Sequence, residues 1–190
     1  MVLGIAAAGV YLSAYIVKQT EQAVVLQFGE PVRVVTEPGL KWKIPIAQTV
    51  AYYDKRILDL DTSPQEVIAS DQKRLVVDSF ARFQIVDPLE FYKTVRTERT
   101  ARIRLGAFLE ASMRSALGAA TLEDIVRNKR DSLMRTITQS VNEEAKDLGV
   151  KVVDVRIKRA DLPEENSEAI YKRMRTDREQ EAAELRAEGA

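Results

Sequence analysis

The hydrophobic period of this chain switches from two to 3.6 partway along its length, before a last strand returns. Up to Ile85 apolar residues alternate with polar ones, as in strands; beyond Asp87 they recur every three or four residues, as on helix faces. Val24, Leu26 and Phe28 alternate as far as Gly29-Glu30-Pro31, and residues 32–35 supply a second short strand. Glu37-Pro38-Gly39 puts proline where a fixed φ is needed and glycine where φ can turn positive, the type II turn arrangement. Leu40, Trp42 and Ile44 then alternate with Lys41 and Lys43, a spacing that predicts Trp42 packed inward and both lysines in water. Residues 50–61 read as a further strand. Residues 67–69 and 75–85 read as a hairpin around Ser70-Asp71-Gln72, with Leu75, Val77, Ala81, Phe83 and Ile85 on one face and only Ser79 intruding.

Asp87-Pro88 opens the helical part, with an N-capping carboxylate followed by proline at the first helical position. A short helix to about Val95 is expected. A longer one over 98–117 follows, with Leu105, Leu109, Met113 and Ala116 on one face. Thr121-Leu122-Glu123-Asp124 resembles a capping box and introduces a third, carrying Leu133, Ile137, Val141, Ala145 and Leu148. Gly149 ends it, and Val153, Val155 and Ile157 supply a last strand. Strands first, helices second and one strand returning indicate an α+β fold, an antiparallel-rich sheet with packed helices.

The two ends differ from this middle. Residues 2–17 carry no charge. As a helix they span roughly 24 Å, short of the ~30 Å of bilayer hydrocarbon, a gap that a snorkelling Lys18 narrows. A cleaved signal peptide lacks its basic start here, and a buried soluble helix would show a polar face. The expectation is therefore a transmembrane anchor over 1–18, built on Val2, Leu3, Ile5, Val10, Tyr11, Leu12, Tyr15, Ile16 and Val17 and set in a lipid bilayer. At the other end, residues 164–190 hold eight acidic and five basic side chains in 27. Glu168–Lys172 is a favourable i,i+4 pair, and Ile170 and Met174 form a thin apolar stripe. The expectation is a 19–162 domain followed by the beginning of a charged, coiled-coil-like helix over 163–190 that continues past Ala190.

Composition excludes much chemistry. With no His and no Cys there is no zinc finger, no disulfide and no imidazole base. The 29 basic and 29 acidic residues cancel, so no nucleic-acid footprint is expected. Nucleophile-elbow, P-loop and dinucleotide glycine motifs are absent. Asp54, Asp59 and Asp61 are the nearest approach to a hard-cation site, and a solvated sheet face is the favoured reading. Lys41-Trp42-Lys43 has lipid-headgroup contact as its second reading after core packing. Arg96, Arg99, Arg102 and Arg104 crowd a helix start, against its dipole, which calls for a partner such as a carboxylate of a neighbouring subunit.

Two blocks, Glu21-Gln22-Ala23-Val24-Val25-Leu26-Gln27-Phe28-Gly29 and Glu37-Pro38-Gly39-Leu40-Lys41-Trp42-Lys43-Ile44-Pro45, are similar to the start of a band 7, or SPFH (stomatin/prohibitin/flotillin/HflK-HflC), domain. Tyr53-Asp54-Lys55-Arg56-Ile57 and Leu75-Val76-Val77-Asp78-Ser79-Phe80 extend the resemblance. Residues 152–158, Asp161-Leu162-Pro163-Glu164-Glu165 and 167–175 resemble the HflC branch of that family; Asn166 stands where an apolar residue is expected. The resemblance implies a non-enzymatic bacterial inner-membrane protein with its soluble part on the periplasmic side. It implies no catalytic residue, cofactor or metal. The implied partners are an HflK-type subunit, in a ring or cage, and the FtsH AAA protease, whose access to substrates the assembly controls. Arg96, Arg99 and Arg102, with Glu168, Ile170, Tyr171, Arg173, Met174 and Arg175, are the expected subunit contacts. The rivals are a stomatin- or prohibitin-like membrane-organising scaffold with a different partner and, from another class, a Ser-Lys hydrolase.

Overall fold

The computed structural model describes residues 12–125, 129–161 and 175–176. Among the described residues, nine strands and three helices follow in the expected order, strands first: β1 (Ala14–Val17), β2 (Glu21–Gln27), β3 (Glu30–Val35), β4 (Gly39–Trp42), β5 (Gln48–Asp54), β6 (Leu58–Asp61), β7 (Gln65–Ile68) and β8 (Arg74–Ile85). Helices α1 (Pro88–Thr94), α2 (Glu98–Gly118) and α3 (Arg130–Ala145) come next, then a 3-10 turn (Lys146–Leu148) and β9 (Val150–Asp161). The fold is α+β, and all strand pairs among the described residues are antiparallel.

The strands form three sheets. In the largest, Ala81 pairs with Leu60 and with Val155, and Val77 with Gln65 and with Ala160, so β6 and β7 lie along one edge of β8 and β9 along the other. Its inner face carries Leu75, Val77, Ala81, Phe83 and Ile85 as the alternation predicts, and α2 and α3 cover it with Leu105, Leu109, Met113, Ile137 and Val141. Ser79, the intruder on that face, is buried, and its hydroxyl lies 2.8 Å from that of Thr62. The second sheet, β3-β2-β5, is covered on both sides. Val24, Leu26 and Tyr53 join the main core, while Ala23, Val25 and Val35 meet Tyr15 and Val17 of β1 in a smaller one. The outermost layer is a two-stranded ribbon, β1 with β4.

Four local expectations change. Residues 14–17 are not helical: β1 pairs with β4, burying Tyr15 and Val17, so a helix ending at Lys18 is corrected, and of the described residues in 12–18 only Leu12 and Ser13 have helical geometry. Pairing with a neighbouring strand outcompetes the weak helical preference of the β-branched Ile16 and Val17. Residues 50–61 divide into β5 and β6, because the Asp54 carboxylate accepts the backbone N–H of Arg56 at 2.8 Å and turns the chain. Asp124 N–H donates to Thr121 Oγ1 as the capping pattern predicts, but α3 itself begins at Arg130. In β9 the register shifts beside Val153; the bulge turns Val152 inward and leaves Val153 exposed, which breaks the expected 153, 155, 157 face. Elsewhere the signals hold: Asp87 caps α1 through the N–H groups of Leu89 and Glu90, and Gly39 has φ +131° after Pro38.

Candidate membrane-contact face

The β1–β4 ribbon is built inside out. Ile16 lies opposite Leu40 and Ala14 opposite Trp42, so these four side chains share the outer face. Ile16 is 66% exposed, Leu40 57% and Trp42 53%. The period-two spacing of Leu40, Trp42 and Ile44 is as expected, but their assignment to the core is corrected: the apolar face looks outward. The lysine side looks inward, and the Lys41 side chain is only 32% exposed. Tyr15 and Val17 explain the inversion, since they already fill the space above Ala23, Val25 and Val35.

The apolar surface continues at one end of the ribbon. Lys43 N–H donates to Ser13 carbonyl oxygen at 2.8 Å, extending the ladder toward the uncharged run. Leu12 and Ile44 are exposed there, and Ile46 is wholly so. The tip of the β2–β3 turn lies beside them, Phe28 N–H reaching Ala47 carbonyl oxygen at 3.4 Å. Phe28 is 85% exposed, so it leaves the core face that Val24 and Leu26 occupy. Phe28 has φ +52° and Ile46 φ +70°. A β-branched residue held left-handed costs of order 1–3 kcal/mol, and each large apolar side chain left in water forgoes about 1.5–3 kcal/mol of burial. Apolar surface maintained against such costs marks a contact with protein or membrane.

Cations border this face. Arg33 Nη2 donates to Trp42 carbonyl oxygen at 2.7 Å and reaches the Tyr15 hydroxyl at 3.4 Å, tying the second sheet to the ribbon. Lys41 Nζ lies 3.4 Å from Glu37, and Lys55 Nζ donates to Thr36 carbonyl oxygen at 3.4 Å. Behind them burial, then the neighbouring Tyr15 hydroxyl and the Glu21 carboxylate, pushes the Tyr52 hydroxyl above its usual pKa. Sequence reasoning did not single out Phe28, Ile46, Arg33 or Lys55 as functional. The available signal was Ile46 itself, an isolated apolar residue directly after Pro45.

The remaining site expectations scatter. Val2, Leu3, Ile5, Val10 and Tyr11 lie outside the described residues, as do Glu168, Ile170, Tyr171, Arg173 and Met174; Arg175 is helical and exposed. Arg96, Arg99 and Arg102 have different surroundings within the chain. Arg102 finds its partner within the chain, donating to Asp59 carbonyl oxygen and lying over the Phe83 ring. Arg96 lies over Tyr92. Arg99 and Arg104 are exposed. The three aspartates disperse into ion pairs, Asp54 with Arg56, Asp59 with Arg82 and Asp61 with Lys158, and no cluster among the described residues is arranged for a metal ion. The buried serines Ser79 and Ser112 bond Thr62 and Ser140 rather than a lysine. No described helix is long and apolar enough to cross a membrane.

Comparison with known proteins matches residues 15–190 to the SPFH domain / Band 7 family. The protein HflC of Haemophilus influenzae is 33% identical over 199 residues, covering 99% of this chain and 68% of the relative. HflC of Buchnera aphidicola subsp. Acyrthosiphon pisum is 34% identical, covering 93% of the chain and 64% of the relative. The Escherichia coli K12 protein named modulator of FtsH protease HflC is 30% identical over 226 residues, covering 94% and 68%. The chain thus spans about two thirds of the length of these relatives.

Proposed function

Because the chain belongs to the SPFH domain / Band 7 family, we propose that it is a membrane-held scaffold subunit that modulates an FtsH-type AAA protease and has no catalytic activity of its own. Its similarity to a modulator of FtsH protease supports the protease as partner. The observation that carries the membrane half is the outward apolar face of the β1–β4 ribbon, which runs back into an uncharged N-terminal stretch. The ribbon and the exposed Phe28 and Ile46 tips share the contact with the bilayer, Trp42 at the polar boundary and Lys41 and Lys43 at headgroup level.

In this reading an HflK-type subunit alternates with this one in a ring or cage in a bacterial inner membrane. The chain crosses once, the 19–162 domain lies on the periplasmic side, and the ring limits which membrane substrates reach the protease. The exposed Arg96 and Arg99 and the charged 163–190 helix supply lateral contacts, since a helix so polar needs neighbours or water on every side.

Co-expression with an HflK-type subunit, extraction in mild detergent and affinity purification test the proposal. A large assembly containing both subunits and an AAA protease is expected. A monomer under those conditions overturns it, and capture of a different membrane partner without the protease favours a stomatin- or prohibitin-like scaffold instead.

A further inference from the structure

At the rim of the ribbon, between β3 and β4, lies a cleft of about 320 Å³ lined by Arg33, Val34, Val35, Thr36, Glu37 and Lys41. Two cations, Arg33 and Lys41, line it, and a third, Lys55, is bonded to its lining residue Thr36. Arg33 is held by its Nη2 contacts to Trp42 carbonyl oxygen and the Tyr15 hydroxyl, and among the described residues its Nε and Nη1 meet no acceptor. Lys41 reaches in from β4 with its side chain two-thirds covered, and Lys55 Nζ donates to the carbonyl oxygen of Thr36 at 3.4 Å. Against these stands one carboxylate, Glu37, 84% exposed and at the 3.4 Å limit of its contact with Lys41. A fixed guanidinium fork with two ammonium groups suits a multiply oxygenated anion, and Val34 and Val35 give the cleft an apolar wall.

We propose that this cleft binds the phosphate of an anionic phospholipid headgroup. The proposal rests on the membrane-contact reading, because it is the ribbon that ties phosphate to lipid. Lys41 points into the cleft while its neighbours in β4, Leu40 and Trp42, are exposed on the opposite side. A phosphate held by Arg33 and Lys41, with the charge of Lys55 beside Thr36, has its acyl chains directed over the rim onto that outer face. The headgroup supplies the charge and the chains cover the apolar side chains. Bulk phosphate would satisfy the cations and leave Leu40, Trp42 and Ile16 in water.

Trp42 is the sole tryptophan of the chain, so its fluorescence reports on the lipid beside it. The full chain reconstituted in phosphatidylcholine bilayers is compared with brominated phosphatidylglycerol and with brominated phosphatidylcholine at equal mole fraction. Trp42 quenching is expected to favour the anionic lipid by about fivefold. The double substitution Lys41→Gln, Lys55→Gln, which leaves the Arg33 bonds intact, is expected to bring the ratio toward one, and Lys41→Arg to preserve it. Equal quenching by both lipids in the unaltered chain overturns the headgroup site while the membrane-contact reading stands. Absence of quenching by either overturns both. A preference that the double substitution leaves unchanged removes the site from this cleft, and one abolished by inorganic phosphate reassigns it to soluble anions.

Discussion

At the scale of single residues, a few positions carry conditions that only one side chain type or charge state meets. Gly149 joins the 3-10 turn to β9 at φ +68°, and its carbonyl accepts both Val86 and Asp87 N–H at 3.0 Å. A Cβ there would collide with Asp87 carbonyl oxygen and stand 2.8 Å from Phe91 N. Backbone atoms cannot step aside as a flexible side chain would, so Gly149→Ala is expected to destabilise the fold by about 2 kcal/mol or more, read from urea unfolding. Asp54 sets a pH dependence. Its bonds from the Arg56 side chain hold its carboxyl below the usual range, against an opposing effect of burial. A depressed folded pKa contributes stability above the ordinary value of about 3.9, and that contribution fades as pH falls through the folded value. Asp54→Asn is therefore expected to melt lower than the parent at neutral pH, with the gap closing in acid; a gap independent of pH would contradict this account. Glycine at 149 and 39 is legible from turn chemistry alone. The positive φ of Phe28 and Ile46 is not, because nothing local favours it.

At the scale of elements, β9 shows how a helix protects a sheet edge. The Asn142 side chain of α3 donates to Val152 carbonyl oxygen and accepts Val152 N–H, both at 2.7 Å, so an amide takes the place of a neighbouring strand. Arg130, at the other end of α3, donates to Ile157 carbonyl oxygen at 2.8 Å. With two register shifts as well, the strand offers little uninterrupted edge to another chain. Asn142→Ala leaves both Val152 groups unpaired beneath the helix, a loss of about 2 kcal/mol in stability. Faster hydrogen exchange at the Val152 amide should accompany it, without general fraying of β8. The existence of β8 and α2 was legible in the sequence because each carries several pleats or turns of consistent period, that of α1 because Asp87-Pro88 marks its start, and that of β9 because Val155 and Ile157 keep one face. Residues 14–17 were misjudged because four apolar residues fit either a helix or a strand, and the register with β4 decides. The break at Val153 was hidden because a bulge moves one residue to the other face without altering composition.

At the scale of the whole molecule, the described part is a conventional core joined to a ribbon that withholds its apolar side from it. Residues on that outer face contribute little to folding and much to the bilayer contact, so the two roles are separable. Ile16→Ser with Leu40→Ser and Ile46→Asn is expected to keep or slightly raise the melting temperature, since asparagine tolerates the left-handed backbone better than isoleucine. Trp42 in the same chain should lose most of its quenching by brominated lipid. A collapse of the fold would mean that the ribbon's outer face is structural after all. The charge balance of 29 against 29 also takes on a shape, a slightly basic body followed by an acidic-leaning C-terminal stretch, which a total of zero conceals. The sequence by itself determined the α+β class, the order of strands and helices, the β8 face, the capping of α1 and the family, because these depend on local period, turn chemistry and contiguous motifs. Only the tertiary structure decided which side of an alternating strand faces inward. Alternation defines two faces but not their destination, and the second sheet had one surface left to cover. Tyr15 and Val17 cover it, and the face of Ile16, Leu40 and Trp42 is left outside.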